Sequence, residues 1–162
     1  MRLYLLRHGI AEEGGWNTPD HARRLTPEGA AQMRAEAEAL RRMNLKLDLI
    51  LTSPLVRARQ TAEILADVLQ MRDRLRDDPR LASGCRLGEL QGIIADHQQA
   101  EQLLLVGHNP DLSILTGQLV GGANVGLQKG GIACIHIDRV EPGAGELEWL
   151  LTPSILLSLL PG

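Results

Sequence analysis

Three short stretches of this chain carry residue types that can do chemistry together. They are Arg7-His8-Gly9, then Ser53-Pro54 with Arg57 three residues further on, then Gly107-His108-Asn109-Pro110. Guanidinium groups grip oxyanions through paired N–H donors. Imidazole serves as a nucleophile or a proton carrier near neutral pH. Two arginines and two histidines, with no evident set of metal ligands, point to phosphoryl transfer through a covalent phosphohistidine, with no metal and no cofactor. Each residue alone has a plainer reading. His8 would be a buried structural histidine, and Arg57 a solvated helix residue like its neighbour Arg59. Shared placement is what moves the reading toward function.

That placement comes from the elements around them. Residues 3–6 form a short apolar run, as expected of a strand buried on both faces, and residues 47–51 and 103–106 repeat the pattern. Each run ends where one of the three stretches begins. Thr26 reads as a helix N-cap, with Pro27 at the first helical position and Glu28 in the first turn. Ala30, Met33, Ala37 and Leu40 then make one apolar stripe, which predicts a helix to about Met43. Ser53 is expected to cap a second helix, again with a proline first, its apolar face being Leu55, Ala58, Ala62, Leu65 and Leu69. Residues 71–86 are charged and irregular, with room for a short strand, and residues 87–99 read as helix. Asn109 and Pro110 open a helix through Leu112, Leu115 and Leu119. Two further strand-like runs, 132–137 and 146–151, flank Pro142-Gly143-Ala144-Gly145, a hairpin signal.

The alternation predicts one α/β domain over residues 1–162, a three-layer α/β/α sandwich with a mostly parallel central sheet. Ligands of such sheets bind outside the carboxyl ends of the strands. Arg7, His8, Arg57 and His108 should therefore meet in one crevice, joined by two helix N-termini that attract phosphate. The polar stretch 9–25 is a loop of a length that is usually functional or mobile.

The same blocks, in order, resemble the histidine phosphatase (phosphoglycerate mutase-like) superfamily. Arg7-His8-Gly9 is similar to its RHG signature, residues 53–62 to its second block, and Val106-Gly107-His108-Asn109-Pro110 to its third. Arg23 with Leu25-Thr26-Pro27-Glu28-Gly29 resembles a block of the small SixA-type phosphohistidine phosphatases, as does the short length. The resemblance implies a phosphoglycerate mutase-like fold without a large cap insertion. It implies His8 as nucleophile, Arg7 and Arg57 on the phosphoryl oxygens, and His108 donating to the same oxygens. Gly9 would let the backbone approach closely, while Ser53 and Asn109 would orient a histidine or add donors.

Larger members of that superfamily place a carboxylic acid between the second and third blocks. Here that region is 81–90, and its one candidate, Glu89, falls on the exposed face of the expected helix. An alkoxide leaving group needs a proton in the transition state, whereas an imidazole, with a conjugate-acid pKa near 6.5, can already carry one. The reading is thus a phosphatase acting on phosphohistidine in a protein. A small-molecule phosphomonoesterase, a mutase and a non-enzymatic phosphoprotein-binding module are the alternatives.

Composition narrows the partners. The chain has 162 residues and a net charge of −3, which gives no general attraction to nucleic acid or to an anionic membrane. Cys85 and Cys134 make no disulfide framework, so reduced thiols and a cytoplasmic location are expected. The N-terminus lacks the apolar stretch of a signal peptide, and residues 155–160 are too few to span a bilayer, so that run is expected to pack on the core or form a contact surface. His21, His97 and His136 read as structural or surface residues, Glu12 and Glu13 as loop charges, and Trp16 as a packing residue or a substrate contact. Composition leaves the oligomeric state open.

Overall fold

The computed structural model describes residues 1–162. Strand β1 (Arg2–Arg7) leads through a long loop to helix α1 (Pro27–Arg42), then β2 (Leu49–Thr52), α2 (Val56–Val68) and the short β3 (Leu75–Asp77). Helix α3 (Leu87–Asp96), β4 (Gln102–Gly107) and α4 (Asp111–Leu119) follow, and then the hairpin of β5 (Ile132–Ile137) and β6 (Gly145–Leu151), closed by α5 (Pro153–Ser158). The six strands lie in the order β3-β2-β4-β1-β5-β6. The first four are mutually parallel, while β5 and β6 run antiparallel.

Successive residues of a strand point to opposite faces, and the core divides accordingly. Tyr4, Leu6, Leu104 and Val106 pack with Met33 and Leu40 of α1 and Ala58 and Leu65 of α2. Leu3, Leu5, Leu103 and Leu105 pack with Leu90 and Ile93 of α3 and Leu112 and Leu115 of α4. The central strands are apolar at consecutive positions because both faces are covered, the pattern of a buried parallel sheet. Truncating a wholly buried leucine such as Leu105 should cost about 2–5 kcal/mol.

Strand register sets up the site. Arg7 lies opposite Gly107, and Thr52 opposite Val106, so three strands end nearly level. The next residues are tied across: the His8 N–H donates to Gly107 O at 3.1 Å, and the Ser53 N–H to Val106 O at 2.9 Å. The adjacent strands β1 and β4 then send their chains to opposite faces, β1 to α1 and β4 to α4. That divergence opens a crevice at a switch point of the topology.

Several expectations are sharpened or corrected. Thr26 caps α1, accepting the Gly29 N–H at 2.9 Å, with Pro27 in the first turn. Ser53 does not cap α2: that helix starts at Val56, and its N-cap position, Leu55, makes no side-chain cap bond. The Ser53 hydroxyl is drawn into a tertiary contact instead. Helix α3 ends at Asp96, three residues before residue 99, where a turn leads into β4. Trp16 packs on nothing and is fully exposed. In α5 Pro153 and Leu156 are buried, while Ile155, Leu157 and, just past the helix, Leu159 are exposed. No helix is long and apolar enough to cross a membrane.

Candidate active site

The His8 ring is buried at the end of β1. Its Nδ1 lies 2.7 Å from Gly9 O, and a carbonyl only accepts, so Nδ1 carries the proton and Nε2 keeps its lone pair. Arg57 Nε donates to that Nε2 at 3.3 Å. Burial pushes the His8 pKa down to about 3, helped by the charges of Arg57 and Arg7 and opposed by the Gly9 carbonyl. At neutral pH the ring is therefore uncharged, with a nucleophilic nitrogen facing a guanidinium.

Arg57 is 5% exposed and comes from the first turn of α2. Thr61, one turn on, accepts the Gly9 N–H at 3.1 Å and donates to Arg57 O at 2.8 Å, so one hydroxyl joins the two blocks. Gly9 has a steric reason as well: a Cβ there would lie 2.6 Å from Met33 Cγ. Close approach at Gly9 is thus to α1 rather than to an open pocket.

His108 follows β4, with its ring centroid 5.2 Å from that of His8 at an interplanar angle of 55°. Its Nε2 lies 2.7 Å from Ser53 Oγ. Ser53 Oγ accepts the Leu55 N–H at 3.2 Å and has a proton of its own to offer His108 Nε2. In the tautomer in which Ser53 donates, the His108 proton sits on Nδ1; that nitrogen is buried without a partner. Burial, and next the Arg57 charge, lower the His108 pKa to about 4.

Arg7 reaches in from the last residue of β1. One terminal nitrogen donates to Leu127 O at 3.0 Å, and its buried Nε has no partner. Burial lowers its pKa from the ordinary arginine value. The Asn109 amide donates to the same Leu127 carbonyl at 2.9 Å and accepts from Ser113 Oγ at 3.0 Å. Asn109 therefore holds the loop against which Arg7 rests, with both ends of its amide engaged. Gly130, at φ +83°, donates to Arg7 O and His8 O and fixes the backbone beneath both side chains.

Only three buried side-chain nitrogen or oxygen atoms in the protein lack a hydrogen-bond partner, and two of them are Arg7 Nε and His108 Nδ1. An unpaired buried donor costs about 1–3 kcal/mol. Arg7 and His108 both act on the His8 ring, whose pKa their charges help to lower, so both unpaired nitrogens belong to residues of the same site. All four expected residues, Arg7, His8, Arg57 and His108, thus come together with Gly9, Ser53 and Asn109 around them. Glu89 stays away: it is exposed and folds back on its own helix, accepting the Arg86 N–H at 2.8 Å. No group of three or more His, Cys, Asp or Glu side chains is placed to hold a metal ion.

One participant escapes the motifs. Asp20, in the loop between β1 and α1, takes Arg57 at two points, through its backbone carbonyl at 2.8 Å and through Oδ2 at 3.2 Å. Its other oxygen accepts from Arg23 at 3.0 Å. The only local signal was the charged spacing Asp20 to Arg23, which reads equally well as an ordinary surface pair.

Residues 3–100 match the model of the histidine phosphatase superfamily, branch 1. The chain belongs to that superfamily. A full-length relative is an uncharacterized protein of Picosynechococcus, 38% identical over 171 residues and covering 97% of this chain and 99% of that one. This histidine phosphatase is also 27% identical over 160 residues to the phosphohistidine phosphatase SixA of Escherichia coli, with 94% of each chain covered. Among solved structures it resembles the protein histidine phosphatase SixA complexed with tungstate, with a TM-score of 0.84, 25% identity, and 95% of this chain and 98% of that one covered. The histidine phosphatase fold here is therefore phosphoglycerate mutase-like and of the SixA type, with no large insertion. Family membership makes it a histidine-nucleophile phosphatase.

Proposed function

We propose that this phosphatase hydrolyses phosphohistidine on a protein substrate, with His8 as the nucleophile. The observation that carries the proposal is the arrangement around His8 Nε2. A neutral, buried imidazole is flanked by Arg57 and by two residues with buried nitrogens that lack partners, Arg7 Nε and His108 Nδ1. A tetrahedral oxyanion supplies acceptors to all three. Tungstate, carried by the similar SixA structure, has that shape and charge.

The reaction has two displacements. The Nε2 lone pair of His8 attacks phosphorus, and the P–N bond to the substrate ring breaks with its electron pair on the departing nitrogen. For that attack Arg57 Nε–H first turns from Nε2 to a phosphoryl oxygen, which frees the lone pair. The His8 ring becomes cationic as it bonds phosphorus, and the Gly9 carbonyl on Nδ1–H stabilises that charge. Water next attacks phosphorus and releases phosphate. The site holds donors rather than acids, so catalysis is mainly positioning and charge stabilisation.

The substrate class follows from the leaving group and from access. Glu89 is turned away, and the one carboxylate that touches these side chains, Asp20, is kept ionised by Arg23 and Arg57, so no carboxylic acid stands ready to protonate an alkoxide. No large insertion covers the strand ends, and buried Arg57 is linked to solvent by Asp20, whose side chain is 63% exposed. Such a surface admits a side chain presented by another protein. The test compares phosphate release from a phosphohistidine-bearing protein with release from sugar and nucleotide monophosphates. Faster turnover of the phosphohistidine protein is expected, and faster turnover of the monophosphates would reject this substrate class.

A further inference from the structure

Asp20 is the only carboxylate that hydrogen-bonds any of Arg7, His8, Arg57 or His108. Its side chain is 63% exposed, while that of Arg57 is 6% exposed. The pair therefore runs from the floor of the site to solvent. Arg57 meets His8 with Nε and Asp20 with its two terminal nitrogens. One guanidinium group thus separates the carboxylate from the nucleophile, on the solvent side.

Arg23 and Arg57 each hold one oxygen of the carboxylate, and their hydrogen bonds, that of Arg23 foremost, lower its pKa. Asp20 accordingly stays ionised through the neutral range and is unsuited to protonate a leaving alkoxide. Each carboxylate oxygen keeps a lone pair free for a further donor. An ionised carboxylate at the mouth repels an anionic leaving group and attracts a cationic one.

We infer that Asp20 is the leaving-group residue of this site: its carboxylate accepts the ring N–H of the substrate's phosphorylated imidazole and so selects P–N over P–O cleavage. The inference rests on the phosphohistidine reading given above. A phosphohistidine ring protonated at its second nitrogen is cationic, and Asp20 favours that form. When His8 Nε2 bonds phosphorus, the P–N electron pair returns to the departing nitrogen. The substrate ring leaves as neutral imidazole and keeps the proton on its second nitrogen. The positive charge passes to the His8 ring, and no proton needs to move. For an ester the same electron pair would create an oxyanion close to Asp20, with nothing to protonate it.

The test uses the intact protein with Asp20→Asn and Asp20→Ala, assayed on a phosphohistidine-bearing protein and on p-nitrophenyl phosphate. Replacing a charge-assisted hydrogen bond by a neutral one should lower kcat on phosphohistidine about tenfold. Activity on the aryl ester should rise, because a repulsion is removed. A tenfold loss of preference for the protonated ring equals one pH unit, so the alkaline limb of kcat, which reports the bound complex, should move down by about one unit in Asp20→Asn. Equal losses on both substrates, or an alkaline limb that does not move, would show that Asp20 only holds Arg57 in place and would overturn the inference. Failure of the substrate reading looks different: the unaltered enzyme would release no phosphate from the phosphohistidine protein.

Discussion

Glu36 offers the sharpest stability prediction. It lies on α1, wholly buried, with Oε1 accepting from Gln32 at 2.8 Å and Oε2 without any partner. A Cβ on Gly130 would lie 2.6 Å from that free oxygen, so the carboxyl sits directly beneath the loop that supports Arg7 and His8. Burial raises its pKa from 4.5 to about 7. A folded-state pKa above the unfolded one means that the fold prefers the protonated form. This contribution to stability is whole below about pH 4.5 and is lost as pH rises through 7. The difference between 4.5 and 7, at 1.36 kcal/mol per unit, is about 3 kcal/mol. Glu36→Met keeps the length and removes the charge. Urea unfolding of both proteins from pH 4.5 to 8.5 should show a stability gain for the variant that grows by up to about 3 kcal/mol across that range, a midpoint shift on the order of 1–3 M. Taking the difference matters, because His8 and His108 change stability in the opposite direction on acidification. A gain of the same size at pH 5 and pH 8, or a variant less stable at pH 8, would refute the reasoning.

Other consequences are equally direct. His8 and His108, held near 3 and 4, should show no imidazole titration between pH 5 and 8 by ¹⁵N NMR, and the stability tied to their neutral rings should fade as pH drops from 6.5 toward those values; titration near 6.5 would contradict the buried geometry. Ser53→Ala removes the donor to His108 Nε2, so kcat should fall roughly ten- to a hundredfold, for a loss of about 1–3 kcal/mol, and the NMR signature of the Nδ1–H tautomer should weaken. Gly29→Ala places a Cβ 2.1 Å from Ile10 O, close to the catalytic loop, and should cost about 1–3 kcal/mol in thermal unfolding; an unchanged Tm would mean that the loop yields freely.

Much of this was legible in the chain because the informative interactions are local. Strands β1, β2 and β4 announce themselves as apolar runs, and each stops at, or next to, a residue proposed for the active site. The Thr26-Pro27 start of α1 is a short-range signal and forms as read. What stayed hidden depends on contacts between distant segments. Ser53 sits beside a proline and looks like a cap, yet a histidine 55 residues away takes its hydroxyl. Asp20 resembles a loop charge until Arg57, 37 residues on, takes it. Glu36 adjoins the apolar stripe of α1, but its burial is completed by the loop at Gly130, which no helical periodicity describes. Glu89 is the reverse case: an exposed place on a helix is expected of it, and it is exposed in the first turn of α3, where its side chain accepts the Arg86 N–H.

The central claim is that the phosphoryl group rests on His8 during turnover. Rapid mixing of the enzyme with phosphohistidine protein or p-nitrophenyl phosphate, an alkaline quench and peptide mass spectrometry locate it directly. The account predicts a single phosphoryl on His8, stable to base, labile to acid and absent from His8→Ala, which should also be inactive. A phosphoryl found on His108 instead, or full turnover by His8→Ala, would contradict it.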